Sequence, residues 1–212
     1  MARILQKIIV DEDFIWNKNL ENNQEKFLVK LSSETIDQLR MNKKELSNLD
    51  KLGFPKLKNE INELKIRKIL SGVGFFIIDK KNFLDFSKDE IKKIYRIICD
   101  MLGTLYVQNI NSDKIVEIKD EGKSMMSGGR YHQTREGGSY HTDSPHWMNV
   151  PDLVGLLCIN PAKKGGTSKF VSTYTIHNQL LKEQKDKLEA LYEKFYFDKR
   201  GEFETNESQT IF

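Results

Sequence analysis

The sequence predicts an α+β protein in which helices precede a run of short strands and one further helix follows them. Three observations predict this class. Apolar residues recur at helical spacing through 57–70, Ser87 opens a helix with a capping box, and 153–159 is almost wholly apolar, as in a buried strand. The length of 212 residues suits one sizeable domain, and no internal repeat or low-complexity segment divides it.

A polar, mostly helical lead-in is predicted for residues 1 to about 50. Ser32 or Ser33 can accept a hydrogen bond from an unpaired backbone N–H at the start of a helix, as N-cap residues do. The large aromatic side chains of Phe14 and Trp16 are expected to dock this lead-in on the rest of the protein.

Three more helices are predicted after the lead-in. The helix at 57–70 carries apolar residues along one face and ends at the pair 71–72. In the capping box of the next helix, Ser87 and the acidic residue three positions later bond each other's backbone N–H groups, and Gly103 is the natural end of that helix. The last helix, at 175–192, also has a single apolar face.

Short strands are predicted between these helices. They cover 73–78, 105–108, 114–118, 153–159 and 169–172. The first run is continuously apolar and the fourth nearly so, which is typical of strands that are buried on both faces.

The charge composition argues against a dedicated nucleic-acid-binding surface. The chain has 34 Lys and Arg residues against 31 acidic residues, a net charge of +3, and no basic stripe. The lysine pairs at 43–44 and 163–164 fit either solvated loops or the steering of an anionic substrate.

Cysteine usage and hydropathy predict a cytoplasmic protein. Cys99 and Cys158 each lie among apolar neighbours, so two buried thiols in a reducing compartment are expected rather than a disulfide. The amino terminus shows no signal-peptide pattern, and no apolar run reaches the ~18 residues of a membrane span, so no membrane partner is expected.

A short motif, Tyr140-His141-Thr142-Asp143, carries the main chemical signal. Residues two apart in an extended strand point to the same face, so an imidazole nitrogen of His141 and a carboxylate oxygen of Asp143 can reach a single point. Two such donors are two thirds of a facial 2-His-1-carboxylate site, which suits iron(II) because the opposite face stays open for a co-substrate and O2.

The longer stretch around this motif carries a family resemblance. From Gly128 the sequence reads GGRYHQTREGGSYHTDSPHWMNVPDLVGLLCINPAKKGGTSKF, which resembles the taurine dioxygenase-like (TauD/TfdA) family of iron(II)- and 2-oxoglutarate-dependent oxygenases. The resemblance covers most of the chain after about residue 50, including 54–55, 72–76 and 102–103. It implies a double-stranded β-helix, a jelly-roll barrel of about eight strands that holds its metal inside one mouth.

The resemblance also implies roles for single residues. His141 and Asp143 match the iron-binding His and Asp of the family motif, and a carboxylate at Asp143 implies hydroxylation or a related oxidation rather than halogenation. Ser168 matches the hydroxyl residue that contacts a carboxylate of 2-oxoglutarate, and Thr167 is the alternative. Iron(II), 2-oxoglutarate and O2 are therefore the expected cofactor and co-substrates.

Five residues near the motif are candidates for contacting a small-molecule substrate. They are Arg130, His132, Tyr140, His146 and Trp147. Ordinary loop hydrogen bonding is the alternative role for Arg130 and His132, which precede the motif. Packing is the alternative for His146 and Trp147, which follow it.

Two groups that complete such a site in the family have no match in this sequence. They are the distal histidine, which is the third iron ligand, and the arginine that clamps the 2-oxoglutarate carboxylate in two places. His146 and His177 are poor substitutes, because a facial site takes its ligands from separated parts of the barrel and His177 falls on an amphipathic helix.

A single oxygenase domain is therefore expected over 1–212, with the helical lead-in at 1–50 and an incomplete jelly-roll core at 51–212 whose C-terminal strands are missing. Two functions stay open. One is an oxygenase that converts 2-oxoglutarate to succinate and CO2 while it hydroxylates or otherwise oxidises a small organic molecule. The other is a catalytically incompetent binding or assembly module that needs another chain to complete its core. A homo-oligomer is compatible with either.

Overall fold

The computed structural model describes residues 5–47, 53–109, 111–129, 133–144, 149–196 and the backbone of 208–209. Within these ranges the α-helices are α1 (Ser33–Met41), α2 (Pro55–Leu64), α3 (Lys88–Leu102), α4 (Thr173–Glu183) and α5 (Lys185–Leu191). The strands are β1 (Leu28–Val29), β2 (Ile77–Ile78), β3 (Phe195–Tyr196) and β4 (Ser208–Gln209). Short 3-10 helices cover Lys18–Asn22, Gln24–Lys26, Lys43–Ser47, Lys80–Phe83 and Met125–Ser127, and a π-helix covers Lys65–Leu70.

The predicted helix caps in the first half are confirmed. Of the two candidate serines, Ser32 caps α1, and its hydroxyl accepts the backbone N–H of Thr35 at 3.2 Å. Ser87 and Glu90 form both hydrogen bonds of a capping box at the start of α3, and this helix ends at Gly103.

The helix predicted at 57–70 forms as two connected parts. α2 begins at Pro55, where a residue without an N–H loses nothing, and continues directly into the π-helix Lys65–Leu70. The chain then turns so tightly at Gly72 that a β-carbon there would overlap the carbonyl oxygen of Arg67. Only glycine fits at this position without a shift of the backbone.

The hydrophobic core lies among α1, α2, α3 and the segments that connect them. Its fully buried members come from the first half of the chain: Leu39, Leu46, Phe54, Leu57, Ile61, Ile94 and Ile97. β1 and β2 pair in parallel along one side of this core, with Leu28 opposite Ile77 and Val29 opposite Ile78. The helical half is therefore the part of the described chain that buries the most apolar surface.

The strand content differs from the prediction. Of the predicted strands, 73–78 is reduced to β2, and the segments 105–108, 114–118, 153–159 and 169–172 form no paired ladder. A strand is stable only where a neighbour takes up its backbone N–H and C=O groups, and the sequence pattern of one segment does not specify that neighbour. The described residues thus form helices and two short strand pairs, which agrees with the α+β class. The jelly roll stays a prediction.

The segment 153–159 has only one covered face. Gly155 lies against α3, since a β-carbon there would lie 2.9 Å from the Tyr95 hydroxyl oxygen and 3.6 Å from the Cys99 sulfur, and Leu153, Leu157 and Ile159 are half-buried. Val154 and Leu156 on the opposite face are 57% and 68% exposed. The apolar run is therefore not a strand buried on both faces.

The two cysteines have different environments. Cys99 is half-buried and accepts a hydrogen bond from the Tyr95 hydroxyl, and burial raises the pKa of both groups, so both stay neutral near pH 7. Cys158 is exposed, which corrects the prediction of two buried thiols. Cys158 is exposed because side chains along 153–159 alternate between two faces, and Cys158 lies on the same open face as Leu156.

The helix predicted at 175–192 is divided into α4 and α5. Gln184 leaves the helical conformation with φ −148° and ψ 58°. Lys182 in the last turn of α4 and Asp186 in the first turn of α5 carry the charges that favour a helix end and a helix start. No helix in the described ranges has both the length and the apolar character that crossing a membrane requires.

Candidate metal and co-substrate site

The side chains of His141 and Asp143 converge. The Nε2 atom of His141 lies 3.4 Å from the Oδ1 atom of Asp143, and the two side chains are 56% and 50% exposed. The segment that carries them is irregular rather than a paired strand. The shared direction expected from the two-residue spacing is therefore present, although the strand is not.

A backbone carbonyl orients the His141 ring. The Nδ1 atom lies 2.8 Å from the Ser139 carbonyl oxygen. A carbonyl only accepts hydrogen bonds, so Nδ1–H donates to it, and Nε2 is the ring nitrogen on the side of Asp143. Metal-binding histidines commonly have their second nitrogen held in this way. Ser139 gave no signal in the sequence, because every residue carries a carbonyl.

The chain turns sharply after the motif. Ser144 has φ +49°, in the left-handed region that few residues other than glycine adopt. The turn predicted after Asp143 continues into residues outside the described ranges, so its course stays a prediction.

The donor set fits part of a metal site. Two ligand atoms that bind one metal at about 2.1 Å and at a right angle lie about 3 Å apart, close to the separation of His141 Nε2 and Asp143 Oδ1. In the described part of the chain, no group of three His, Cys, Asp or Glu side chains is placed to hold a metal ion. The described residues therefore bring together two candidates, His141 and Asp143, for the three donors that a facial site needs.

The candidate co-substrate residues lie on a separate segment. Gly165 and Gly166 have φ +75° and +73°, a pair of left-handed residues of the kind found in tight hairpin turns. Thr167 and Ser168 follow this turn, and both are exposed. Their assignment to 2-oxoglutarate stays a prediction.

The candidate substrate residues are described only in part. Tyr140 is 66% exposed, next to His141. Arg130, His132, His146 and Trp147 lie outside the residues that the structure describes, and their roles stay predictions. His177, a poor third ligand by sequence, is 3% exposed on α4, and its Nε2 lies 3.3 Å from the Lys7 carbonyl oxygen.

Ion pairs and hydrogen bonds fix the loop that leads to the motif. The Arg135 guanidinium donates to the Asp120 carboxylate, and this bond, with a second from the backbone N–H of Gly122, holds the pKa of Asp120 below its usual range. The Glu136 carboxylate accepts the backbone N–H of Met125 at 3.2 Å. Arg135 and Glu136 are therefore both bonded to earlier residues of the loop that leads to the motif.

Comparison with known proteins adds independent information. The model of the family described as "Taurine catabolism dioxygenase TauD, TfdA family" matches residues 43–211. The FR-33289 synthase of Streptomyces rubellomurinus (strain ATCC 31215) is 38% identical over 103 residues, which cover 48% of this chain and 29% of that relative. The matched part is thus less than a third of the relative's length. No solved structure matches the chain.

Proposed function

The chain belongs to the TauD, TfdA family of dioxygenases, and we propose that it acts as an iron(II)- and 2-oxoglutarate-dependent oxygenase on a small organic molecule. The observation that carries the proposal is the convergence of His141 and Asp143, at 3.4 Å, inside the range matched by the family. Membership of the family supports oxygenase chemistry, and the proximity of the two side chains supports a site at His141 and Asp143.

The proposal assigns a task to five of the described residues. His141 and Asp143 would hold iron(II), with Ser139 fixing the imidazole so that Nε2 faces the metal position. Ser168 would donate a hydrogen bond to a carboxylate oxygen of 2-oxoglutarate, and Thr167 is the alternative donor. Bound iron would supply the activation of O2 that drives decarboxylation of the oxoacid to succinate and CO2.

The carboxylate at Asp143 bears on the type of oxidation. It occupies the position that would otherwise be open to a halide ion, so hydroxylation or a related oxidation is the proposed outcome. The half-exposed state of the two side chains leaves room on their open side for a co-substrate and a substrate.

A second function, a non-catalytic binding or assembly module, is favoured by a different observation. Val154, Leu156 and Phe170 are each more than half exposed, and exposed large apolar side chains occur at interfaces. This function predicts no metal binding at His141 and Asp143, so one experiment separates the two.

The experiment compares iron(II) binding by two aspartate variants of the full chain. Asp143→Asn should weaken iron(II) binding at least about tenfold, because the amide replaces a charged ligand, and His141→Ala should do the same. Asp152→Asn is the matched control, since Asp152 is also an exposed carboxylate in the same half of the chain. Equal iron binding by Asp143→Asn and Asp152→Asn would reject the proposed site.

A further inference from the structure

The segment Lys7–Trp16 is hydrogen-bonded to α4, and we call it the clasp. The backbone of Ile9 makes two hydrogen bonds with the Asn178 side chain: its N–H donates to Oδ1 at 2.9 Å, and its carbonyl accepts from Nδ2 at 2.6 Å. The buried His177 ring contacts the Lys7 carbonyl oxygen at 3.3 Å. The Asn178 side chain therefore bonds both the N–H and the C=O group of Ile9, which ties this part of the clasp to α4.

The far end of the clasp holds the start of α4. The Ser172 hydroxyl, the N-cap of this helix, donates to the carbonyl oxygen of Phe14. The Thr175 hydroxyl donates to the carbonyl oxygen of Trp16 at 2.9 Å, and the rings of Phe14 and Tyr174 stack with centroids 5.3 Å apart. The clasp therefore fixes the point at which residues 168–172 lead into α4.

The other side of the clasp is fixed to the helical half. The Trp16 indole N–H donates to the Val73 carbonyl oxygen at 2.9 Å, and its ring meets the edge of Phe75 at 5.7 Å. Phe75 also stacks with two other rings, Phe27 at 5.4 Å between centroids and Phe170 at 5.2 Å with an interplanar angle of 13°. Aromatic pairs in this geometry add stabilisation beyond the area that they bury.

Phe170 links the clasp to the candidate co-substrate residue. Phe170 lies two residues after Ser168, the spacing at which side chains share a face wherever the chain is extended. The clasp and Phe27 lie before residue 43, outside the range that the family model matches. The contacts therefore join residues before the matched range to Phe75, Phe170 and α4 within it.

We propose that the clasp, through Trp16 and the Phe75–Phe170 stack, positions the segment 167–171 so that its hydroxyl residues meet 2-oxoglutarate. Trp16, Asn178 and Phe75 are positioning residues, because they act on the co-substrate through the segment that they hold. The inference rests on the proposed function for the identity of the co-substrate, whereas the positioning itself is testable without it.

The first test is limited proteolysis of the full chain with trypsin. Lys169 lies within the positioned segment and Lys164 lies in the glycine turn before it, and both are exposed, so the ratio of cleavage after Lys169 to cleavage after Lys164 reports local opening. Asn178→Ala and Trp16→Phe should each raise this ratio by about tenfold, the change in an opening equilibrium expected from the loss of one or two net hydrogen bonds.

Asn82→Ala is the matched control for the loss of hydrogen bonds. The Asn82 side chain also makes two bonds to backbone, accepting from Leu31 N–H at 2.9 Å and donating to the Asp79 carbonyl at 2.6 Å, but it lies away from the clasp. Its ratio should stay within about twofold of the unaltered chain. An unchanged ratio in both Asn178→Ala and Trp16→Phe would overturn the positioning proposal.

The second test measures 2-oxoglutarate consumption by the same variants in the presence of iron(II). The 2-oxoglutarate KM should rise in Asn178→Ala and Trp16→Phe, while kcat at saturating oxoacid changes little, and Asn82→Ala should leave both constants in place. An unaltered KM together with a raised cleavage ratio would make the clasp purely structural and reject its positioning role. If the unaltered chain consumes no 2-oxoglutarate, the proposed function fails, and the cleavage ratio alone decides whether the clasp holds the segment.

Discussion

At the scale of single residues, the sequence alone leaves open whether Ser168 or Thr167 contacts 2-oxoglutarate. Substitutions of these two residues after the glycine turn distinguish the alternatives. Ser168→Ala should raise the 2-oxoglutarate concentration needed for half-maximal consumption by about ten- to a hundredfold, because it removes a hydrogen bond to a charged group worth about 1.5 to 3 kcal/mol. Thr167→Val is the matched change next to it and should have a small effect. The opposite order of the two variants would move the co-substrate contact to Thr167.

A second residue-scale prediction concerns the close approach of Gly155 to α3. A β-carbon at this position would lie 2.9 Å from the Tyr95 hydroxyl oxygen, so Gly155→Ala should lower the free energy of unfolding by about 1–3 kcal/mol through overpacking. In the Tyr95→Phe background the same change should cost less, because the clashing oxygen is gone. Urea unfolding of both single variants and the double variant measures this coupling, and a fully additive result would contradict the packing of 153–159 on α3.

At the scale of elements, the start of α3 supplies a pH-dependent contribution to stability. Hydrogen bonds from Ser87, its backbone N–H first, and the nearby Lys43 ammonium hold the pKa of Glu90 below its ordinary value. A carboxyl with a lowered folded-state pKa stabilises the fold above its unfolded-state pKa of about 4.3, and this stabilisation is lost as the pH falls through the folded-state pKa.

Glu90→Gln tests this contribution because glutamine keeps the capping-box hydrogen bond and removes the titration. The urea midpoint of the unaltered chain should exceed that of the variant at pH 6, and the difference should shrink as the pH is lowered toward 3. Comparing the two proteins at each pH cancels the titration of the other carboxyl groups. A difference that is the same at pH 6 and pH 3 would assign no role to the Glu90 charge.

Elements that depend on local chemistry were predictable from the sequence, and elements that depend on distant partners were not. The caps of α1 and α3 follow from serine side chains within three residues of their backbone partners. The docking of Phe14 and Trp16 was also foreseen, because large aromatic rings in a polar segment need a partner. The prediction that 153–159 is buried on both faces is wrong, because the composition of the segment does not specify what covers each face.

The candidate site shows the same division. The convergence of His141 and Asp143 was expected from the sequence, because only one residue separates them. The contact of Ser139 with the imidazole comes from a backbone carbonyl and carries no sequence signal. The stack of Phe170 on Phe75 joins residues far apart in the chain, so periodicity alone did not reveal it.

At the scale of the whole molecule, the two halves of the described chain differ in how they bury apolar surface. The fully buried core residues come from α1, α2, α3 and their connections, apart from Leu188 on α5. The segments between α3 and α4 instead leave several large apolar side chains exposed, among them Tyr106, Val107, Ile118, Val154, Leu156 and Phe170. Stability is therefore expected to come mainly from the helical half, and association mainly from the other.

The difference leads to a prediction about the chain in solution. It should bind a hydrophobic dye such as anilinonaphthalene sulfonate below its melting temperature and associate as its concentration rises, because Val154 and Leu156 lie together on one open face. Leu156→Lys should reduce both effects without lowering the melting temperature, since the leucine is 68% exposed. Leu84→Lys is the matched control, because Leu84 is 77% exposed on the helical half. An unchanged dye signal in Leu156→Lys would show that the face carrying Val154 and Leu156 is covered in solution. Equal reductions by the two variants would contradict a special role of this face in dye binding and association.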